Sequence, residues 1–204
     1  MTDNNSIERV DSKHYSEVAD ILTSAFYDDP VFTWFMRKDS KKENAFKSLF
    51  TTVLAKYYLP SIVYKDTGSN SCSIWVDSKD VLTSSELSIP MKIRFFINVT
   101  NWCTLGGVNR FMHLTGLQDD AHPPEPHHYL WAVGVKPEAQ GKGLGTKILS
   151  RHLTVLDELQ MPAYLENSKE VNFRFYERLG FEQINNIEIV KGGPYLWGMW
   201  RNPK

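Results

Sequence analysis

The sequence predicts an α/β fold with a mixed β-sheet flanked by helices. Two observations point to it. Apolar residues at helical spacing dominate the first 126 residues, interrupted by one hairpin signal. From residue 128 strand, helix, strand and helix follow one another before two closing strands. With 204 residues, 42% of them hydrophobic, the chain can bury one substantial core, so a single domain over 1–204 is expected. It divides into an N-terminal part, about 1–126, and a C-terminal core, about 127–204.

From Ser12 to Phe26, Tyr15, Val18, Ala19, Leu22, Ala25 and Phe26 share one helical face. "YDDP" ends this helix, because a residue before proline disfavours helical dihedrals. "SKKE" at 40–43 has the capping-box pattern, with Ser40 and Glu43 as its members. Behind it Phe46, Leu49, Phe50, Val53, Leu54, Tyr57 and Tyr58 form an apolar stripe that Pro60 closes. "SIVYKD" and "CSIWVD", joined by the turn-rich "TGSNS", read as a hairpin. Residues 84–102 and 107–117 look helical, with Pro90 marking a kink or break. "DDAHPPEP" is a loop. Then come a strand at about 128–136, a helix at 143–158, a strand at 163–167, a helix at 170–179, and strands at 181–190 and 194–201.

Composition narrows the functional classes. A formal net charge of −1 argues against a general nucleic-acid binder, which carries a basic excess. Cys72 and Cys103 have neither zinc spacing nor a disulfide pattern, which suits a reducing cytoplasm. No run approaches the ~20 apolar residues of a membrane span, and "MTDNNSIERV" lacks signal-peptide character. A cytoplasmic protein without membrane or nucleic-acid partners is expected. His122, His127 and His128 lie close together in sequence but lack a supporting ligand cluster, so no metal is assigned.

The chemistry concentrates in "VGVKPEAQGKGLGTKILSRHL", residues 133–153. A strand runs into a glycine-rich turn and then a helix. The first turn of a helix has N–H groups without intrahelical partners, and the macrodipole favours an anion there. Glycines let a ligand approach those amides closely. The spacing is not that of a P-loop, nor the G-x-G-x-x-G of a dinucleotide fold. It is Gln140-x-x-Gly143-x-Gly145. A second pattern follows: Asn172, then Phe175-Tyr176, then Leu179-Gly180-Phe181.

Together these patterns resemble the GNAT superfamily of acetyl-CoA-dependent N-acetyltransferases, most closely its puromycin N-acetyltransferase-like branch. "VKPEAQGKGLG" (135–145), "LENS" (165–168), "NFRFYERLGF" (172–181) and "WGMWRNP" (197–203) carry the resemblance, with "AFYDDPVFTW" (25–34) as a weaker N-terminal part. It is strong over 128–204, weaker over 1–60 and slight between them.

The resemblance implies a GNAT fold whose splayed strands form an acetyl-CoA cleft. It places the pyrophosphate on the amides of Gln140, Gly141, Lys142, Gly143, Leu144, Gly145 and Thr146. The pantetheine arm would lie along Val133 and Val135, and Asn172 would reach the coenzyme from the next helix. Tyr176 takes the position of the proton donor to the leaving thiolate. Glu166 is the candidate base, a solvated or salt-bridged glutamate being the alternative. Phe26, Asp28, Asp29 and Trp34 would wall the acceptor side, although "DDP" also reads as a simple helix stop. A backbone N–H of 133–135 would stabilise the oxyanion. The expected activity is direct acetyl transfer to a primary amine of a small molecule, by a monomer or homodimer. A protein or peptide N-acetyltransferase and a non-catalytic acyl-CoA sensor are the alternatives.

Overall fold

A computed structural model describes residues 6–56, 61–81 and 89–204. In chain order the elements are β1 (Ile7–Val10), α1 (Tyr15–Phe26), α2 (Pro30–Phe35), α3 (Lys42–Lys56), β2 (Ser61–Asp66), β3 (Ser71–Asp77), α4 (Ile89–Trp102), α5 (Leu105–Ala121), β4 (His128–Val135), α6 (Leu144–Glu158), β5 (Ala163–Asn167), α7 (Phe173–Arg178), β6 (Glu182–Gln183), β7 (Ile187–Glu188) and β8 (Tyr195–Arg201). Tyr57, Tyr58, Pro60 and the first residues of the helix expected from 84 lie outside the described residues.

The strands form one mixed sheet in the order β1-β2-β3-β4-β5-β8-β6, with β7 also pairing β8. All pairs are antiparallel except β4–β5. Because successive strand residues point to opposite faces, the sheet supplies two cores. Val63, Ile74, Ala132 and Leu196 join α1 to α5 on one face. Tyr64, Trp75, Leu130 and Met199 join α6 and α7 on the other.

Several expectations need correction. The sequence between "DDP" and residue 40 holds a helix, α2, that the sequence reading did not identify. Asp29 makes it possible: its Oδ1 accepts from the Val31 and Phe32 amides at 3.0 and 3.2 Å, and Pro30 fits the first helical turn. The Ser40/Glu43 capping box does not form. Asp39 Oδ1 accepts from the Lys41 amide at 3.0 Å instead, one residue earlier. Pro90 lies at the start of the described part of α4, and the stretch before it, where the kink or break was expected, falls outside the described residues. The strand expected at 181–190 is two short pieces. Asn185 separates them, its Oδ1 taking the Gly198 amide at 2.9 Å while its Nδ2 reaches the Ala121 carbonyl at 3.3 Å.

The strand that matters most is β4, which lies against α1. A Cβ built on Gly134 would stand 3.1 Å from both Leu22 Cδ2 and Ala25 Cβ. Only a residue without a side chain lets the helix settle this close. Gly134→Val is therefore expected to destabilise the fold by about 1–3 kcal/mol through overpacking, read as a lowered midpoint in thermal unfolding.

Candidate acetyl-transfer site

The site begins where two strands part. β4 and β5 pair in parallel only from His128↔Ala163 to Leu130↔Leu165. Beyond Leu130 the β4 edge that faces β5 has no strand partner among the described residues. A bulge lies at the divergence: Ile74 pairs Ala132 and Trp75 pairs Leu130, so the register shifts by one residue there. The gap opens into a cavity of about 1410 Å³ that reaches from the start of α6 to the helices on the far face.

At one end lies the glycine turn. Gly141 and Gly143 have φ of +74° and +79°, a region open to glycine at little cost. Gly143 is the N-cap of α6 and has no side chain to cover the first-turn amides. Gly145 packs against Phe175, whose ring would stand 3.2 Å from an added Cβ. Gln140, Gly141, Gly143, Leu144, Gly145 and Thr146 all line the cavity. Lys142 does not: its Nζ donates to the Glu138 carbonyl at 2.9 Å, so it ties the turn together rather than facing inward. The Gln140 side-chain Nε2 donates to the Val135 carbonyl at 3.1 Å. Val133 and Val135 line the gap from the free edge of β4, and Asn172 lines it from below α7, making no side-chain cap. Uncovered helix amides, a glycine cradle and an unpaired strand edge fit a pyrophosphate with an amide-bearing arm.

Tyr176 and Glu166 enter the cavity from α7 and β5. Tyr176 is 7% exposed, and its hydroxyl has no hydrogen-bond partner among the described residues. Burial and, to a lesser degree, the nearby Asp29 carboxylate push its pKa upward, so it stays protonated through the neutral range. Glu166 is partly buried in the cavity wall and has no salt bridge among the described residues. Its Oε2 accepts from the Gln118 amide and from the Tyr129 hydroxyl at 3.1 Å, and its Oε1 from the Tyr164 hydroxyl at 3.3 Å. Burial raises its pKa, against these three donors, and Asp119 raises it further. A carboxyl with a raised pKa is a stronger proton acceptor than an ordinary carboxylate, as a general base requires.

Gln118, Tyr129 and Tyr164 were not identified from sequence. Gln118 could have been: it falls one turn after Leu114 on the inward face of α5, a polar side chain in an apolar stripe. The two tyrosines show their role only in the register, which sets Tyr129 beside Tyr164.

The expected acceptor wall divides. Phe26 lines the cavity and packs on Phe32 and Phe50, with ring centroids 5.0 and 5.8 Å apart. Trp34 is absent from the lining; it stacks near Arg110, whose Nη1 donates to its carbonyl at 2.8 Å. Asp28 is solvated, its side chain 91% exposed beside Lys42. Asp29 is 1% exposed, and both its oxygens are engaged: Oδ1 caps α2, and Oδ2 accepts from the Ser168 hydroxyl at 2.6 Å. Ser168 is thus not the cap of the following helix, whose N-cap position is Asn172. It clasps the start of α2 to the end of β5. Asp29→Ala is expected to cost about 1–2 kcal/mol, typical of a lost N-cap, seen as a drop in thermal midpoint.

His122 and His127 approach with ring centroids 4.9 Å apart, while His128 points to the opposite side and pairs with His152, Nδ1 to Nε2 at 3.1 Å. Among the described residues no three His, Cys, Asp or Glu are grouped to hold a metal, and no helix is long and apolar enough to cross a membrane.

Comparison with known proteins agrees with this geometry. Residues 95–183 match the acetyltransferase (GNAT) domain family. An uncharacterised N-acetyltransferase of Schizosaccharomyces pombe is 26% identical over 90% of this chain and 77% of its own length. Among solved structures, a histone acetyltransferase HPA2-related protein of Corynebacterium glutamicum superposes with a TM-score of 0.70 at 19% identity, covering 98% of this chain and 97% of its own. The polyamine N-acetyltransferase of Drosophila melanogaster gives 0.65 at 12% identity, over 97% and 99%. The chain therefore has the GNAT fold, is similar over residues 95–183 to the GNAT acetyltransferase domain, and is an enzyme of the N-acetyltransferase class.

Proposed function

We propose that the enzyme transfers an acetyl group from acetyl-CoA to the primary amine of a small molecule, by direct attack on the thioester. The observation that carries this is the convergence of Glu166, Tyr176, the free β4 edge and the α6 amides on one cavity. The GNAT fold uses acetyl-CoA as acyl donor. The amides of Leu144, Gly145 and Thr146, with the Gln140 turn, hold its phosphates. Val133 and Val135 offer backbone groups to the pantetheine arm, and Asn172 closes the site from below.

Glu166 takes a proton from the incoming ammonium, freeing the lone pair that attacks the carbonyl carbon. A backbone N–H of 133–135 receives the developing oxyanion. As the C–N bond forms and the C–S bond breaks, Tyr176 gives its proton to the departing sulfur. The second proton, lost from the nitrogen as the amide forms, returns to the Tyr176 phenolate through solvent, and Glu166 releases its own proton to solvent. Phe26 belongs to the acceptor wall. Asp29 acts there through α2 and Ser168 rather than by binding the amine, and Trp34 has no part in it.

The resemblance of "VKPEAQGKGLG" and "NFRFYERLGF" to the puromycin N-acetyltransferase-like branch favours a small acceptor. So does the depth of the cavity, which suits an enclosed body better than an extended peptide. We take the enzyme to work as a monomer or homodimer in a reducing cytoplasm. The test is acetyl-CoA-dependent thiol release across small amines and short peptides, with mass detection of the acetylated product. Turnover confined to peptides would overturn the small-molecule reading.

A further inference from the structure

Away from the glycine turn, the cavity changes character. Its far wall is built by α2, α4 and α5, and it is apolar over most of its area. Phe32, Phe35 and Phe111 form a chain of ring contacts, with centroids 5.5 and 5.2 Å apart. All three line the cavity. At the mouth, Ile93, Phe96 and Ile97 of α4 line the same space while remaining 58%, 56% and 55% exposed. Large side chains left this exposed on one helix face are unusual unless something covers them. Their face is continuous with the cavity that holds Glu166, which identifies the cover as part of the acceptor.

Charge points the same way. Among the described residues the cavity's carboxylates are Asp29, Asp119 and Glu166. Asp29 is engaged by α2 and Ser168. Asp119 adjoins Gln118 in sequence and acts on the Glu166 carboxyl, so both remaining acids serve the amine end. A second ammonium held further out would be placed against phenylalanine and isoleucine without a counter-ion among the described residues, and burying an unpaired charge is costly.

Resting on the small-molecule reading above, we infer that the acceptor is a monoamine with a large apolar body: its amino group at Glu166, its hydrocarbon or aromatic part against α2 and α5, and its distal end beneath Ile93, Phe96 and Ile97. Polyamines and aminoglycosides are then poor substrates.

The test is a series of linear primary alkylamines, from propylamine to decylamine, assayed as kcat/KM with the intact chain. Spermidine, an aminoglycoside and a short peptide are run beside it. At about 0.8 kcal/mol per buried methylene, kcat/KM should rise roughly three- to four-fold for each carbon added, until the chain emerges from the mouth. Phe96→Ser and Ile97→Ser, exposed positions with little consequence for folding, should lower the ratio of long- to short-chain kcat/KM several-fold. A flat series, or a preference for spermidine or the aminoglycoside, would overturn this inference and leave the small-molecule reading standing. Acetylation of the peptide alone would overturn both.

Discussion

Tyr176→Phe is expected to lower kcat by about 10²- to 10⁴-fold, the usual contribution of a positioned general acid, while leaving acetyl-CoA binding nearly intact. The substitution removes one oxygen from a side chain whose hydroxyl has no hydrogen-bond partner among the described residues, so no buried group is orphaned and thermal stability should barely change. Burial and the Asp29 charge both disfavour the phenolate, so the proton is still on the oxygen in the neutral range when the thioester breaks. The same shift makes the phenol a weaker acid, so its transfer rests on close placement beside the sulfur as negative charge develops there. The measurement is thiol release with a saturating amine, together with the thermal shift produced by acetyl-CoA. A variant that retains wild-type kcat would remove Tyr176 from the mechanism and leave solvent as the proton source. A variant that loses both turnover and the acetyl-CoA shift would show that the ring packs the coenzyme cleft rather than serving it chemically.

How much of this was legible in the sequence depends on whether a feature is local. The glycine turn, the strand before it and the helix after it were readable because positive φ, uncovered amides and helix start are properties of adjacent residues. The same holds for the hairpin, where the Asp66 carboxylate folds its own turn by accepting the Gly68 and Asn70 amides at 3.0 and 2.8 Å. Asp29 shows the limit. From sequence it was an acid beside a proline, facing either solvent or substrate. Its partner Ser168 lies 139 residues away, and only the packing of α2 against the end of β5 reveals a clasp. Gln118 belongs to the same kind: its helix was recognised, but the carboxylate it serves is on a strand 48 residues later. Strand β1 carries no alternation strong enough to read. Four residues pair with β2 at the sheet edge, and tertiary context alone makes them a strand. Lys142 fails in the opposite sense, since a cation in a phosphate turn is an obvious ligand, yet a nearer carbonyl at Glu138 claims it.

The second large effect is expected at Glu166. Glu166→Gln preserves volume and keeps an oxygen to accept from Tyr129 or Tyr164, but it cannot take a proton; kcat/KM should fall by about 10²- to 10⁴-fold. The pH dependence separates this from a packing defect. A base works as carboxylate, so activity is lost as pH falls through its pKa, and burial has already raised that pKa. The Gln118 N–H favours the charged form; Gln118→Leu removes it, and the acid limb of kcat/KM should move to higher pH. Asp119 disfavours the charged form, so Asp119→Asn should move the limb to lower pH. Tyr129 and Tyr164 also donate to the carboxylate, and their loss should act as the loss of Gln118 does. His122, held down to about 4 by its burial and by His127, is neutral across the range and adds no limb there. The opposed shifts at Gln118 and Asp119 are the diagnostic, because a merely structural defect lowers the whole profile without moving it. A limb unmoved in both variants would assign it to the amine substrate's own ionisation, and Glu166 would then hold the acceptor in place without receiving its proton.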